Sequence, residues 1–285
     1  MLGTDVMNVD DMDAIVNAFN NDDMETFMEA SGQSGGSNRQ VGLPRLNINY
    51  DTETEDGRTL PRGSWKMYLD GRFIYADEVH VQFILRTYEY SVWDQEAGSF
   101  TSKSVQKPTL NGMFPDTLGG NKCGRLTREE EDALPKDDIN YLNSRAVVCN
   151  QVMYGKITGL FKTADGEEVQ VANQPMVAYF KRSGFKPISD FIASLAKQKK
   201  LMQKCLVSLT TAKQKKGSVT YWIPVPTLYQ EVTILDEDKE LMAMFAETVK
   251  AHNESVMNEH REVIKLIADD DDIDLAADFD DANAA

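Results

Sequence analysis

Residues 78–93, EVHVQFILRTYEYSVW, constrain this chain more than any other stretch. They hold no Gly and no Pro, and they are rich in β-branched and aromatic residues, so they read as one long β-strand. Val79, Val81, Phe83 and Leu85 form an apolar face. His80, Gln82, Arg86, Tyr88 and Tyr90 form the other, with a bulge expected to shift the register after Thr87.

The neighbouring segments repeat the pattern. RLNINY places Leu46, Ile48 and Tyr50 on one side. SWKMYLDGRFIYA is two short runs joined by Asp70-Gly71, a strong hairpin signal. AVVCNQVMYGKITGLFK sets Val147, Cys149, Met153, Ile157 and Phe161 against Tyr154, Lys156, Thr158 and Lys162. Gly155 and Gly159 within it predict a strongly curved strand. Asp165-Gly166 turns it into EEVQVANQPMVAYFKR. One helix follows in 187–204, with Pro187 at its start and Lys197, Lys199, Lys200 and Lys204 toward its end, as the helix dipole favours. Two strands, CLVSLTT and SVTYWIPVPTLYQEVTI, flank a basic connector at 212–217. Asp236 can cap a long helix to about 267, with Leu241, Phe245, Val249, Val256, Val263 and Ile267 on one face. His252 and Glu259 interrupt that stripe, which leaves both packing on the body and a homodimer open.

Residues 101–145 break the rhythm with Gly, Pro and charge, and exceed an ordinary connection. They read as an insertion, with at most a turn or two of helix near TREEEDAL. The expected organisation is an acidic N-terminal segment and linker (1–40), a nucleic-acid-binding body (41–235), a C-terminal helix (236–267) and a disordered acidic tail (268–285). Within the first segment, Met12, Ile15, Val16 and Phe19 make a short amphipathic stripe, and SGQSGGSNR is a linker by composition. The fold class expected is mainly β with flanking helices (α+β). Its strand–helix–strand order suits an OB-like antiparallel barrel.

Charge separates the same parts. The net charge of −16 argues against nucleic acid only until it is divided. Residues 1–40 carry −7 and residues 269–285 carry −8, whereas residues 139–230 carry +9. A basic centre with acidic ends speaks of partners rather than of fold. No run of about 18 apolar residues predicts a membrane helix, and the acidic N-terminus lacks the pattern of a signal peptide. Cys123, Cys149 and Cys205 are far apart and make neither a disulfide framework nor a metal pair with His80, His252 and His260. A cytoplasmic protein is expected.

Catalytic motifs are missing: GxSxG, HExxH, a Walker A loop and GxGxxG do not occur. The acids at 129–132 with Asp137 and Asp138 raise a metal-dependent nuclease, but adjacent acids point apart and read better as a solvated loop. No enzyme and no cofactor is expected. Single strands are held by cations along the backbone and by rings stacked on bases, with little need to read sequence. The candidates are Arg86, Tyr88 and Tyr90; Tyr154 and Lys156; Tyr179, Lys181 and Arg182; Lys213, Lys215 and Lys216; and Trp222, with Tyr221 facing the opposite way. The acidic end offers Asp269, Asp270, Asp271, Asp272, Asp278, Asp280 and Asp281 around the apolar Phe279. It can occupy a basic groove or dock on other proteins.

GLPRLNINYD, LPRGSW, DGRFIYADEVHVQFILRTYEYSVWD and GGNKCGRL, together with the acidic end, resemble tailed-bacteriophage single-stranded DNA-binding proteins. The resemblance spans about 40–285 and implies an OB-type core, phage replication and recombination in the host cytoplasm, and contacts with replication and recombination proteins. In that family the tail usually ends on an aromatic residue; here Phe279 is followed by six more residues, Asp280 to Ala285. The rival expectation is a virion structural or assembly protein that uses its terminal helices as interaction surfaces.

Overall fold

The computed structural model describes residues 42–54, 56–94 and 98–281, with side chains up to 268. The expected N-terminal helix and linker lie outside these residues. The described chain is mainly β and its sheet closes in a ring. The strands are β1 (Arg45–Ile48), β2 (Trp65–Leu69), β3 (Arg72–Ala76), β4 (Val79–Asp94), β5 (Ser99–Lys103), β6 (Val148–Thr163), β7 (Glu168–Lys181), β8 (Cys205–Lys216) and β9 (Val219–Glu231).

Three antiparallel pairings follow from local signals. β2 and β3 meet across Asp70-Gly71, both at positive φ (48° and 78°), as a two-residue hairpin of the primed type requires. β6 pairs with β7, and β8 with β9. The ring closes through non-local contacts: β1 with β2, β3 with the end of β6, and β7 with β1. The β1–β7 pairing is parallel, with Arg45 opposite Val177, so the expected all-antiparallel barrel is corrected at this seam. Parallel neighbours need a long crossover, and the whole of β2 to β6 supplies it.

The ring encloses Trp65, Met67, Ile74, Phe83, Ile157 and Phe161, all buried. The helix α3 (Phe185–Lys197) adds Ile188 and Leu195 to this core. It ends earlier than expected. Lys199 has φ 57°, so Lys199, Lys200 and Lys204 lie beyond the helix. The glycines of β6 sit beside register shifts with β4 and β7. A Cβ on Gly155 would overlap the Gln82 carbonyl, and the β4–β6 register shifts beside it, between Phe83 and Leu85. β4 thus shifts register both before Thr87, against β6, and after it, between Val92 and Trp93 against β5. The first shift turns Ile84 and Leu85 out of the ring into a second cluster with Val152, Tyr154 and Phe245.

The insertion is built rather than loose. It contains β5 and two short helices, α1 (Arg128–Ala133) and α2 (Ile139–Ala146), the second of which the sequence did not announce. Thr127 and Glu130 cap α1 reciprocally, and Asp138 caps α2. The Asp116 carboxylate accepts from the N–H groups of Leu118, Gly120 and Cys123, at 3.1, 3.0 and 2.7 Å.

The C-terminal helix α4 (Asp236–Asp281) packs Leu241, Phe245 and Val249 on the second cluster and Val256 on a third, with Tyr88, Val105 and Phe114. Its backbone continues through the segment expected as an unfolded tail from 268. Of the two residues that interrupt its stripe, His252 binds the insertion, and Asn253 and His260 do so beside it. Asn253 and Gln106 exchange two hydrogen bonds, Asn253 Oδ1 accepting at 2.6 Å and Nδ2 donating at 2.9 Å. His252 and His260 reach the carbonyls of Ser104 and Asp116, at 3.0 and 2.8 Å. Among the described residues, no helix is long and apolar enough to cross a membrane.

Candidate nucleic-acid interface

The β8–β9 ribbon continues beyond its contact with β4. Residues 212–216, expected as a connector, are strand, and the turn is Gly217-Ser218. Lys213 stands opposite Trp222 and Lys215 opposite Thr220, so all four share one face. Lys216 pairs with Val219 on the other face, as does Gln214 with Tyr221. Pro224 and Pro226 are tolerated because β9 is an edge strand.

Trp222 is where the ribbon meets the ring. Its indole contacts Tyr50 edge to face (5.8 Å between centroids), and the Tyr50 hydroxyl donates to the Trp222 carbonyl at 3.2 Å. The Arg62 guanidinium lies 5.1 Å from the indole centre and Lys213 Nζ 6.0 Å. Any Cβ on Gly63 would overlap the indole, and Gly63 has φ 91°, so only glycine suits this position. Trp222 and Tyr50 border a cleft of about 260 Å³ that Tyr179, Phe180, Lys181, Ser183 and Pro224 also line, with Arg62 and Lys213 against the indole beside it. Arg45 covers the Tyr179 ring at 4.1 Å.

The cations of the cleft, of the ribbon and of the turn 181–184 have no carboxylate partner among the described residues. No carboxylate of the described residues comes within 4.0 Å of Arg45, Arg62, Lys181, Arg182, Lys213, Lys215 or Lys216. Burial pushes the Lys181 ammonium below its ordinary value, and Arg45 and Arg182 push it further. Converging like charges without counterions favour a polyanion. The exposed Tyr50 ring and the partly buried Trp222 and Tyr179 rings among them favour one that carries flat, apolar groups.

The sequence candidates divide accordingly. Tyr179, Lys181, Lys213 and Trp222 come together at the cleft, with Lys215 further out on the same ribbon face. Arg182 and Tyr90 face a different cavity, across the turn 181–184. Lys216 is exposed on the opposite ribbon face, and the remainder are corrected by burial. Tyr154 is buried, donates to Gln106 at 2.9 Å and packs on Phe245; desolvation lifts its hydroxyl pKa to about 12. Lys156 is bonded to the buried Asp238. Tyr88 is buried against Phe185, with the partly desolvated Arg86 guanidinium 4.8 Å from its ring. The bulge at Phe83–Leu85 explains Tyr88, whose face it exchanges; Tyr154 and Lys156 keep their expected face of β6, which α4 covers. The side chains of Asp269 to Asp281, with Phe279, lie outside those described.

Sequence reasoning missed Arg45, Tyr50, Arg62 and Gly63 as members of the site. The signal was present in PRLNINY and LPRGSW, where arginines stand near an exposed Tyr and a Gly before a Trp. Only the contact with Trp222, far along the chain, gives it meaning.

Fold and cleft thus describe a β-ring bearing a basic, aromatic groove, with no group of three or more His, Cys, Asp or Glu placed to hold a metal among the described residues. No family model, no curated protein and no solved structure matches the chain.

Proposed function

We propose that the protein binds single-stranded DNA without reading its sequence and without chemistry, on an OB-like barrel. One observation carries this reading: a cleft lined by Trp222, Tyr50, Tyr179 and Lys181, with Arg45 against the Tyr179 ring and Arg62 and Lys213 against the Trp222 ring, none of these cations paired with a carboxylate of the described residues. Every base offers a face to a ring, and every phosphate offers a charge to a cation, so such a groove accepts any sequence. The exposed tip of the ribbon, beyond Trp222, lets the strand enter from the side. The choice of DNA and of phage replication and recombination rests on the resemblance of the sequence. In this reading the acids of 269–285 compete for the groove when DNA is absent and recruit replication proteins when it is bound.

Fluorescence anisotropy of labelled oligothymidylate across a salt series tests the proposal. Affinity should fall steeply with salt, with a log–log slope of about −0.7 per neutralised phosphate. Deleting 269–285 should raise affinity at low salt. No binding at low salt by either form overturns the reading.

A further inference from the structure

Across the turn 181–184 lies a larger cavity, of about 780 Å³. Its two walls are distant in sequence. The insertion and its junction with β6 provide Lys122, Arg125 and Arg145; the turn before α3 and the first residues of α3 provide Arg182 and Lys186. Tyr90 and Phe185 supply rings, and no carboxylate belongs to the lining. Around it, Glu131 lies 3.3 Å from Arg125 and 3.6 Å from Arg145, and Asp190 pairs with Lys186. Arg125 also donates to the carbonyls of Ser144 and Val147, at 3.1 and 3.3 Å, which makes it a brace of the wall. Lys122 and Arg182 have no carboxylate partner among the described residues.

Those same two residues hold a conformation that side chains rarely adopt, with φ 54° at Lys122 and φ 50° at Arg182. Cys123 and Gly124 continue the left-handed path at 54° and 80°. The Asp116 carboxylate secures Cys123 N–H at 2.7 Å, and the Phe114 carbonyl accepts from Lys122 N–H at 2.8 Å. A fold that needed only a turn at these positions is served best by glycine. Here two strained positions, on opposite walls of one cavity, both carry a free cation. Strain of this kind gathers where a site must be held in shape.

We infer that this cavity is a second subsite for the same single strand, and that building it is the role of the insertion. The inference rests on the proposed DNA binding and extends it. Lys122, Arg145 and Arg182 meet phosphates, and a base lies against Tyr90 or Phe185. Continuity supports a strand over a free nucleotide: Lys181, Ser183 and Gly184 line the aromatic cleft while Arg182 between them lines the cavity.

The test uses the full chain and the double variant Lys122→Gly/Arg145→Gln, with oligothymidylates of about 6 and about 20 nucleotides, which bracket common site sizes. Glycine suits φ 54° at position 122, so Lys122→Gly alone should melt no lower than wild type. The double variant should bind the short strand as wild type does and lose about tenfold or more on the long one. Its salt slope on the long strand should flatten by about 1.4, two phosphates at about 0.7 each. A folded double variant with unchanged long-strand affinity and slope overturns the inference. So does equal weakening on both strands, or thymidine triphosphate alone binding wild type as tightly as the long strand does. Wild type binding neither strand overturns instead the proposed function beneath it.

Discussion

A Trp222→Ala substitution removes the ring that Gly63 leaves room for and that Arg62, Lys213 and Tyr50 surround. The ring is partly exposed at the cleft, so its loss should leave the core intact. One stacked base is worth about 1–3 kcal/mol, so affinity for single strands should fall about 5- to 150-fold with an unchanged far-ultraviolet spectrum. Glu89 makes a different prediction at the same scale. It is buried, accepts from Gln106 Nε2 at 2.9 Å and Asn150 Nδ2 at 3.2 Å, and lies 3.9 Å from His252. Desolvation raises its pKa, against the opposing pull of His252, Gln106, Lys103 and Arg45. A raised folded-state pKa means that the native state holds the proton more tightly than the unfolded chain does. Its contribution to stability is complete below the ordinary glutamate value and is lost as pH rises through the folded one. The melting-temperature difference between wild type and Glu89→Gln should therefore decline as pH increases from about 4.5. A difference that grows with pH refutes the assignment.

At the scale of elements, the join between β6 and α4 depends on Lys156 and Asp238, whose side chains are 11% and 4% exposed. Burial raises the Asp238 pKa, but hydrogen bonds from Lys156, the Leu235 N–H and Gln82 outweigh it and hold the carboxyl below its usual value. Removing one member of a buried pair strands the other, at a cost of about 3–5 kcal/mol. Lys156→Met should lower stability by that order in chemical denaturation, and Lys156→Met/Asp238→Leu should recover much of it, since both charges then leave the interior. The lowered Asp238 pKa adds a sign. Its contribution is present above the ordinary aspartate value of 3.8 and is lost as pH falls through the folded one, so Asp238→Asn should cost less in acid than at neutral pH. Lys156 thus changes role between sequence and structure, from an expected DNA contact to the anchor of a helix.

Over the whole molecule, the charge partition decides behaviour in solution. Long-range attraction between a basic centre and acidic ends is screened within about 8 Å at physiological salt, so the tail's competition with DNA should be seen at low salt and fade with added salt. Much of the architecture was legible in the chain. Alternating apolar residues marked β4 and β6, Asp70-Gly71 marked the β2–β3 hairpin, and Gly155 marked the register shift beside it. These are local signals, because strand period, turn φ and close approach are set by residues adjacent in sequence. The sequence by itself also determined the basic centre, since net charge does not depend on folding. Which rings face outward was not legible. A one-residue slip exchanges the faces of a strand, and the bulge at Phe83–Leu85 makes that slip for Tyr88, whereas Tyr154 keeps its expected face of β6 and is buried there by Phe245 of α4. The parallel seam of β1 and β7, the meeting of Gly63 with Trp222, and the two walls of the larger cavity join residues that the chain holds far apart. Only the tertiary structure decided these, because such contacts depend on long-range pairing and burial that no local pattern encodes.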